Sequence, residues 1–500
     1  MATYLKRFND KTEYETFKNS DNYIIPNICA TNDSDVFFNN IDYSTQYFTI
    51  EALEDGEITL RGVNTSNDSY YSFNNGDWLL INNSIQLPFN TGDNIRFKCV
   101  CEQIEATEEG TFFNTTSLFN TYGNAMSLIY GDDFIGQTSL NGKEMAFAFL
   151  FANSTTLINA KNLILPATTL ATACYGYMFF GCTSLVTVPE LPATTLAEGC
   201  YSAMFYGCIS LVTAPKLPAT TLSRQCYMYM FAACMSLINT PELNATELAE
   251  YCYSGMFFYC ESLIIAPELP ATTLKDECYS YMFNGCTSLV NAPALPATTL
   301  TDYCYSYMFE DCTSLVNAPE LPATTLANYC YQYMFHGCTS LVTAPSILPA
   351  TTLKDYCYQF MFYGCTSLVN APELSATTLS DYCYSQMFQY CTSLVNAPEL
   401  PATTLASDCY SHMFYGCTSL VNSPELPATT LASDCYYYMF KDCSSLNNVT
   451  MLATDISPTG CLGGWLYGVS STGTFYKNKD ALWNVVGNSA VPVGWTIKYI

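Results

Sequence analysis

Cysteine is the residue type whose number and spacing first suggest chemistry. The chain carries 26 cysteines in 500 residues, most of them in pairs eight positions apart, such as Cys304 and Cys312. Thiolates hold zinc, and thiols oxidise to disulfides. Zinc sites are built from CxxC pairs and histidines, whereas the chain has no CxxC pair and only two histidines, His336 and His412. On a helix, eight residues span ~12 Å, and neighbouring helices pack ~8–10 Å apart. A disulfide tolerates ~7 Å between Cα atoms. The expectation is a stack of buried thiols behaving as small hydrophobes, with Cys99-Val100-Cys101 also placed in the core. No metal or cofactor site is expected.

Carboxylates offer a second chemistry. Glu190, Glu242, Glu268, Glu320, Glu373, Glu399 and Glu425 recur at one position of a repeated unit. Stacked at strand spacing, neighbours would lie ~5 Å apart, the separation found in a retaining glycosidase. Catalysis needs one pair made unequal in pKa, but this column is uniform, broken only by Lys216, Ala294 and Ser346. A solvated acidic stripe is expected, with weak calcium or partner binding as the other reading. No catalytic residues are expected.

Tyrosine is the third informative type, with 40 copies. The Tyr after each first Cys, from Tyr175 to Tyr436, does not vary and is expected in the core. Others occupy positions that vary between copies: Tyr206, Tyr229, Tyr303, Tyr307, Tyr329, Tyr356, Tyr363, Tyr382 and Tyr415. Tyr gives rigid, amphipathic contact area at low entropic cost. These nine are the candidate ligand-facing residues, suited to a protein or a sugar.

Composition narrows the partners. There are 44 acidic and 17 basic residues, for a net charge of −27, and only 12% of residues are charged. Phosphate backbones are bound by Lys and Arg, so nucleic acid is excluded as a partner, and an anionic membrane surface is disfavoured. The longest apolar run is Met145–Ala152, far short of the ~18 residues a spanning helix needs. No export signal is read at the N-terminus, where Pro26 stops the short apolar run Tyr23–Ile25; such a signal needs about 7–15 apolar residues. The expectation is folding in a reducing cytoplasm.

The elements that must position these residues come from a repeat. The unit CYSYMFNGCTSLVNAPALPATTLTDY starts at Cys278, and its first Cys recurs from Cys174 to Cys461 at steps of 26 residues, with one step of 27 at Ser346-Ile347. Eleven full copies fill Cys174–Gly460. At 100° per residue, Cys304, Tyr305, Met308, Phe309, Cys312 and Leu315 fall in an arc of about 140°, the width of a core-facing stripe. Tyr303, Ser306, Tyr307 and Glu310 fill the opposite arc. This predicts an amphipathic helix, capped by the Thr-Thr of PATTL. LVNAPELP predicts a short strand and turns, kept thin by Pro319 and its equivalents. Strands stack ~4.8 Å apart and helices ~8–10 Å, so strands would line a concave face and helices a convex one. The variable tyrosines would then lie on the helical side.

The pattern MFxGCTSLVxAPxLPATTL resembles the BspA-like leucine-rich repeats, whose units carry AFxxCxxL, a short strand ending in Pro and a following helix. The resemblance covers roughly residues 145–462, with a longer period, Met-Phe in place of Ala-Phe and an added Cys-Tyr. It implies an α/β leucine-rich-repeat solenoid, one short strand plus one helix per 26-residue repeat, in a mostly adhesive, non-enzymatic family. The opening stretch ATYLKRFNDKTEYETFKNSDNYIIPNICA, residues 2–30, resembles an N-terminal segment found on structural proteins of crAss-like and other tailed phages of gut bacteria. The segment from Gly460 onward, with Trp465, Trp483 and Trp495, resembles a closing segment of repeat proteins from the same group. The implied organisation is a docking segment (1–40), a small immunoglobulin-like β-sandwich (41–135), an N-terminal cap with a degenerate repeat (136–173), the eleven-copy solenoid (174–460) and an aromatic C-terminal cap (461–500). Asp55-Gly56 and Asn75-Gly76 predict hairpins in the sandwich. The function implied is a phage virion structural protein of fibre or decoration type, made in the host cytoplasm without a signal peptide. It would contact other virion proteins through residues 1–40 and a host surface glycan or protein through its repeats, with oligomerisation possible. A bacterial BspA-like surface adhesin and a polysaccharide-degrading tail protein are the alternatives.

Overall fold

A computed structural model describes residues 42–61, 68–82, 84–104, 112–487 and 489–500, and the backbone of three short strands before them. Those strands, β1 (Leu5–Lys6), β2 (Asn27–Asn32) and β3 (Asp35–Asn39), pair antiparallel in the order β1-β3-β2. The docking role expected of residues 1–40 falls mostly outside the described residues.

The repeats form a solenoid, but the segment expected to be helical is a run of overlapping turns. Among the described residues the only α-helix is α1 (Ser127–Tyr130), outside the full repeats. Along Tyr303–Cys312, every second N–H closes a turn to the carbonyl three residues back: Ser306 to Tyr303 (3.1 Å), Met308 to Tyr305 (3.3 Å), Glu310 to Tyr307 (3.3 Å) and Cys312 to Phe309 (3.2 Å). The intervening N–H groups cross to the next rung: Tyr305 to Cys330 O (3.0 Å), Tyr307 to Gln332 O (2.9 Å), Phe309 to Met334 O (2.9 Å) and Asp311 to His336 O (2.8 Å). Every backbone donor of the run is thus matched, as buried backbone requires. A helix would keep all its bonds within one rung; this run gives half to its neighbour.

The geometry fixes a left-handed residue at every fourth position. Tyr303, Tyr307 and Asp311 have φ of +55°, +58° and +56°, as the third residue of a type II turn must. The buried residues Cys304-Tyr305, Met308-Phe309 and Cys312 therefore recur with a period of four, 90° per residue against the 100° of a helix. That is why the helical reading selects the correct core face: Cys304, Met308, Phe309, Cys312 and Leu315 are fully buried and Tyr305 is 1% exposed. Two assignments to the outer arc are corrected. Ser306 is only 1% exposed, because turns send residues inward in adjacent sets rather than around a cylinder. Glu310, like Tyr303 and Tyr307, is half-buried; it accepts from Asn284, and His336 Nδ1 lies 3.2 Å from its Oε1.

The other two sides of each rung are pinned by isolated parallel bridges, such as Asn317 to Thr343 and Thr299 to Thr325. Prolines between them keep these sides from widening into a sheet, which is the thin strand expected. The one repeat lengthened at Ser346-Ile347 gains a longer pairing, β13 (Ile347–Leu348) with β14 (Glu373–Leu374). Rungs are hydrogen-bonded on all three sides, so each side rises at strand spacing of ~4.8 Å. The helix-against-strand mismatch that predicted a horseshoe is absent.

Before the repeats lies a β-rich region. Strands β4 (Phe48–Ala52), β6 (Ser69–Phe73), β7 (Leu79–Leu80), β9 (Asn94–Cys99), β11 (Phe119–Asn124) and β12 (Leu157–Ile164) form one sheet in the order β12-β11-β4-β9-β6-β7. Strands β5 (Gly56–Leu60), β8 (Ile85–Phe89) and β10 (Phe113–Thr115) form a second, in the order β10-β5-β8. The sheets meet through Phe97 of β9 and Phe113 of β10, whose ring centroids are 6.1 Å apart. Asn75-Gly76 turns the β6–β7 hairpin as expected. Asp55-Gly56 does not make a hairpin. It carries the chain from β4 in one sheet to β5 in the other, with the Asp55 carboxylate accepting from Thr91 N–H and Oγ1, both at 3.0 Å. Strand β12 runs parallel to β11, outside the antiparallel plan of an immunoglobulin-like sandwich. It also bridges the first full repeat, Asn159 to Thr187, so one continuous core passes from sheets to solenoid.

At the far end, β15 (Asn422–Leu426), β16 (Asn448–Met451), β17 (Thr474–Lys477) and β18 (Thr496–Tyr499) form a parallel sheet. Trp465 is fully buried, donates from Nε1 to Ala490 O at 2.9 Å, and lies 6.3 Å from both Tyr436 and Phe440.

Candidate functional site

Stacking the rungs turns each repeat position into a column, and the variable tyrosines sort into three columns. In the first, Tyr303, Tyr329, Tyr356 and Tyr382 form a continuous ladder with centroids 4.5, 4.7 and 4.8 Å apart and ring planes within 6° of parallel. In the second, Tyr307 lies between Tyr281 and Tyr333, 4.5 Å from each, and Phe360 extends the stack 4.3 Å beyond Tyr333. Tyr229 belongs to this column, but Gly255 separates it from the ladder, and its ring instead meets Phe258 edge-on at 5.9 Å. In the third column, Tyr206 stacks on Phe180 at 5.0 Å, Tyr363 on His336 at 4.7 Å, and Tyr415 lies 5.1 Å from Tyr390.

All nine candidates are half-buried. The first two columns are positions of positive φ, so these side chains leave the backbone at a left-handed residue. Within a ladder each ring face is covered by its neighbour. What reaches solvent is the ring edge and the phenolic hydroxyl, in rows at about the rung spacing. The sequence reading allowed these tyrosines to stack on sugars. In the Tyr303 and Tyr307 ladders ring faces are open only at the ends, and even there Tyr303 has Glu277 and Tyr382 has Asp408 as the next residue in the column; outside the ladders, Tyr206 has Ala232 next to it. Burial raises the pKa of Tyr307, with Tyr281 and Tyr333 adding to the shift, and raises that of Tyr303, with Tyr329 adding. Tyr382 is raised first by the Asp408 charge. These hydroxyls stay protonated and act as hydrogen-bond donors.

Tyr281, Tyr333 and Phe360 complete the second ladder and were not among the sequence candidates. Tyr281 and Tyr333 lie 26 residues on either side of Tyr307, and Phe360 lies 27 beyond Tyr333, which was the available signal. Beside the ladders, Glu310 takes part in a polar cluster missed in the sequence: His336 Nδ1 lies 3.2 Å from its Oε1, and Asn284 Nδ2 donates to its Oε2 at 2.5 Å. These residues occupy one column on three successive rungs.

The repeat cysteines, Cys174 to Cys461, are buried free thiols. The second Cys of each repeat donates its S–H to the Phe carbonyl of the preceding rung, as Cys312 does to Phe283 at 3.1 Å and Cys338 to Phe309 at 3.0 Å. Burial pushes Cys330 and Cys383 up to about 12. The buried-thiol reading therefore agrees with the structure, but its distance argument does not. Rungs at strand spacing bring equivalent cysteines of adjacent copies within the Cα range of a disulfide, so what disfavours oxidation is not separation but burial, which raises the pKa and disfavours the thiolate. The Glu320 column is exposed, as expected. Among the described residues no three or more His, Cys, Asp or Glu side chains converge to hold a metal ion.

A family model for the BspA type leucine-rich repeat region matches the chain in six copies, over residues 151–289, 257–395 and 358–458. Together these matches run from residue 151 to residue 458, more than half of the chain. No curated protein and no solved structure matches the chain significantly.

Proposed function

Because the chain belongs to the BspA-type leucine-rich repeat family, we propose that it is a non-enzymatic binding protein whose tyrosine columns engage a cell-surface protein or glycan. The observation that carries this reading is the contrast between columns. The core positions are nearly identical from copy to copy, while the columns of Tyr303, Tyr307 and Glu310 change residue type freely. A surface of this kind alters its contacts without altering its fold. The rows of hydroxyls favour a partner rich in hydrogen-bonding groups, contacted through ring edges.

The finer reading is a phage virion structural protein of fibre or decoration type, made in the host cytoplasm, with residues 1–40 contacting other virion proteins. The resemblance of the opening and closing segments to those of tailed-phage proteins supports it. A bacterial surface adhesin is the alternative that the same repeat surface supports.

The test is binding of full-length protein, displayed in many copies on a bead, to candidate host cells. Multivalent display should convert weak single contacts into retention. Replacing Tyr303, Tyr329 and Tyr356 together by Phe, which keeps the stack and removes the hydroxyls, should lower retention by about tenfold or more. Undiminished retention would remove the ladder from the binding surface.

A further inference from the structure

A strip on another side of the solenoid combines a near-absence of charge with an exposed column of branched apolar side chains. The segments Thr287–Asn291, Thr313–Asn317, Thr339–Thr343, Thr366–Asn370, Thr392–Asn396 and Thr418–Asn422 stack as six successive rungs, and none contains a charged residue. Extended back to Thr183, the same four surface columns hold a single charge, Glu261. The chain as a whole carries −27. Along the centre of the strip runs an exposed apolar column: Val290, Val316, Val342, Val369, Val395 and Val421 are 37–47% exposed. The column continues through Ile264, Ile238, Val212 and Val186 in the four preceding rungs, all exposed.

We infer that this strip is the interface with a second copy of the chain. Two arguments select that occupant. The first is charge. Any two copies repel, and along this strip ten rungs of each copy bring only one charge, Glu261, to the contact, with an exposed Val or Ile in every rung. The second is area. Ten rungs at ~4.8 Å give a length of about 45 Å, and five residues at ~3.3 Å give a width of about 16 Å. The product, roughly 700 Å² on each copy, is close to the ~800 Å² per partner of a stable protein interface. A ladder with a constant rung spacing also matches another ladder of that spacing along its whole length. The strip excludes the Tyr303 and Tyr307 ladders, so the dimer and binding through those ladders are tested separately.

One rim of the strip is acidic, formed by Glu320 and its equivalents, and each copy carries a net charge of −27. Association should therefore tighten as salt rises from low to physiological strength, where charges beyond ~8 Å are screened. Sedimentation of full-length protein should show a concentration-dependent dimer. Val316→Asp with Val342→Asp should give a monomer with an unchanged far-UV spectrum, while Thr324→Asp with Thr351→Asp, on a different side, should remain dimeric. Val316→Thr with Val342→Thr keeps the shape and guards against misfolding of the charged variant; it should weaken association by about tenfold. A monomeric wild-type protein at high concentration, a dimer unaffected by the Thr pair, or a dimer weakened by salt would overturn the proposal.

Discussion

A left-handed tyrosine is a conformational cost that its stacking must offset. Holding an L-residue at positive φ costs about 1–2 kcal/mol, and each aromatic contact returns about 0.5–1.5 kcal/mol. Tyr307 has two such contacts, at 4.5 Å each. Tyr307→Ala keeps the strain and loses both contacts, so thermal denaturation should show destabilisation by about 1–3 kcal/mol. Tyr307→Gly removes strain and stacking together and should be nearly neutral, reversing the usual order of Ala and Gly. In the core, Phe309 lies between Phe283 and Phe335 at 5.6 and 5.7 Å. Phe309→Ala should cost about 3–5 kcal/mol. Glu310→Ala should cost about 1 kcal/mol rather than nothing, because it strands the Asn284 amide.

At the level of the element, the run of turns makes two measurable statements. Far-UV circular dichroism of the purified protein should lack the paired minima of an α-helix; a strongly helical spectrum would return the repeat to a strand-plus-helix unit. The thiol stack should also make the fold alkali-sensitive. Cys330 is raised to about 12 by burial, while an unfolded thiol titrates near 8.5. The raised folded value means that the stabilisation is whole below about pH 8.5 and is lost as pH climbs toward 12. Each such thiol contributes about 1.4 kcal/mol per pH unit in that window, and core tyrosines such as Tyr305, raised by burial and by the neighbouring thiols, add to it. A cooperative loss of structure between about pH 9 and 11 is expected, and a native spectrum at pH 12 would sink the claim. Much of this was legible in the sequence: the core face, the buried thiols, the thin Pro-limited strand and the exposed Glu column follow from residue types at fixed spacing. The backbone was not, because a period of four and a period of 3.6 choose nearly the same residues over one short segment. The signal available was Gly285, Gly337, Gly364 and Gly416, one recurring position inside the supposed helix, where φ is +71° to +73°. At the tyrosine columns the same signal is sparse, with Gly199, Gly255 and Gly460 at φ of +58°, +59° and +63°, so the ladders emerge only once the rungs are stacked.

For the molecule as a whole, stability depends on how the stack of rungs is closed at its ends. At the N-terminal end the aromatic columns begin on Phe147 and Phe151, which stack on Tyr175 and Phe179 at 5.5 and 5.2 Å. At the other end they finish against Trp465. The last rung also sends four backbone donors into the closing segment: Tyr436 to Cys461 O, Tyr438 to Gly463 O, Phe440 to Trp465 O and Asp442 to Tyr467 O, at 2.7–3.1 Å. A chain ending at Gly460 would strip those four partners and leave the faces of Tyr436 and Phe440 open. Unpaired donors beside bare apolar rings form a ready edge for another chain. Repeats contact mainly their neighbours, so the loss should act first on the terminal rungs, and the interior of the solenoid should keep its spectrum. The truncated protein should melt earlier than the full chain and associate through the exposed end. That association should persist in the Val316→Asp, Val342→Asp background, which separates it from pairing along the charge-free strip. Light scattering on the two truncated forms decides the matter: if both stay monodisperse and melt with the full-length protein, Trp465 and the strands after it do not close the stack.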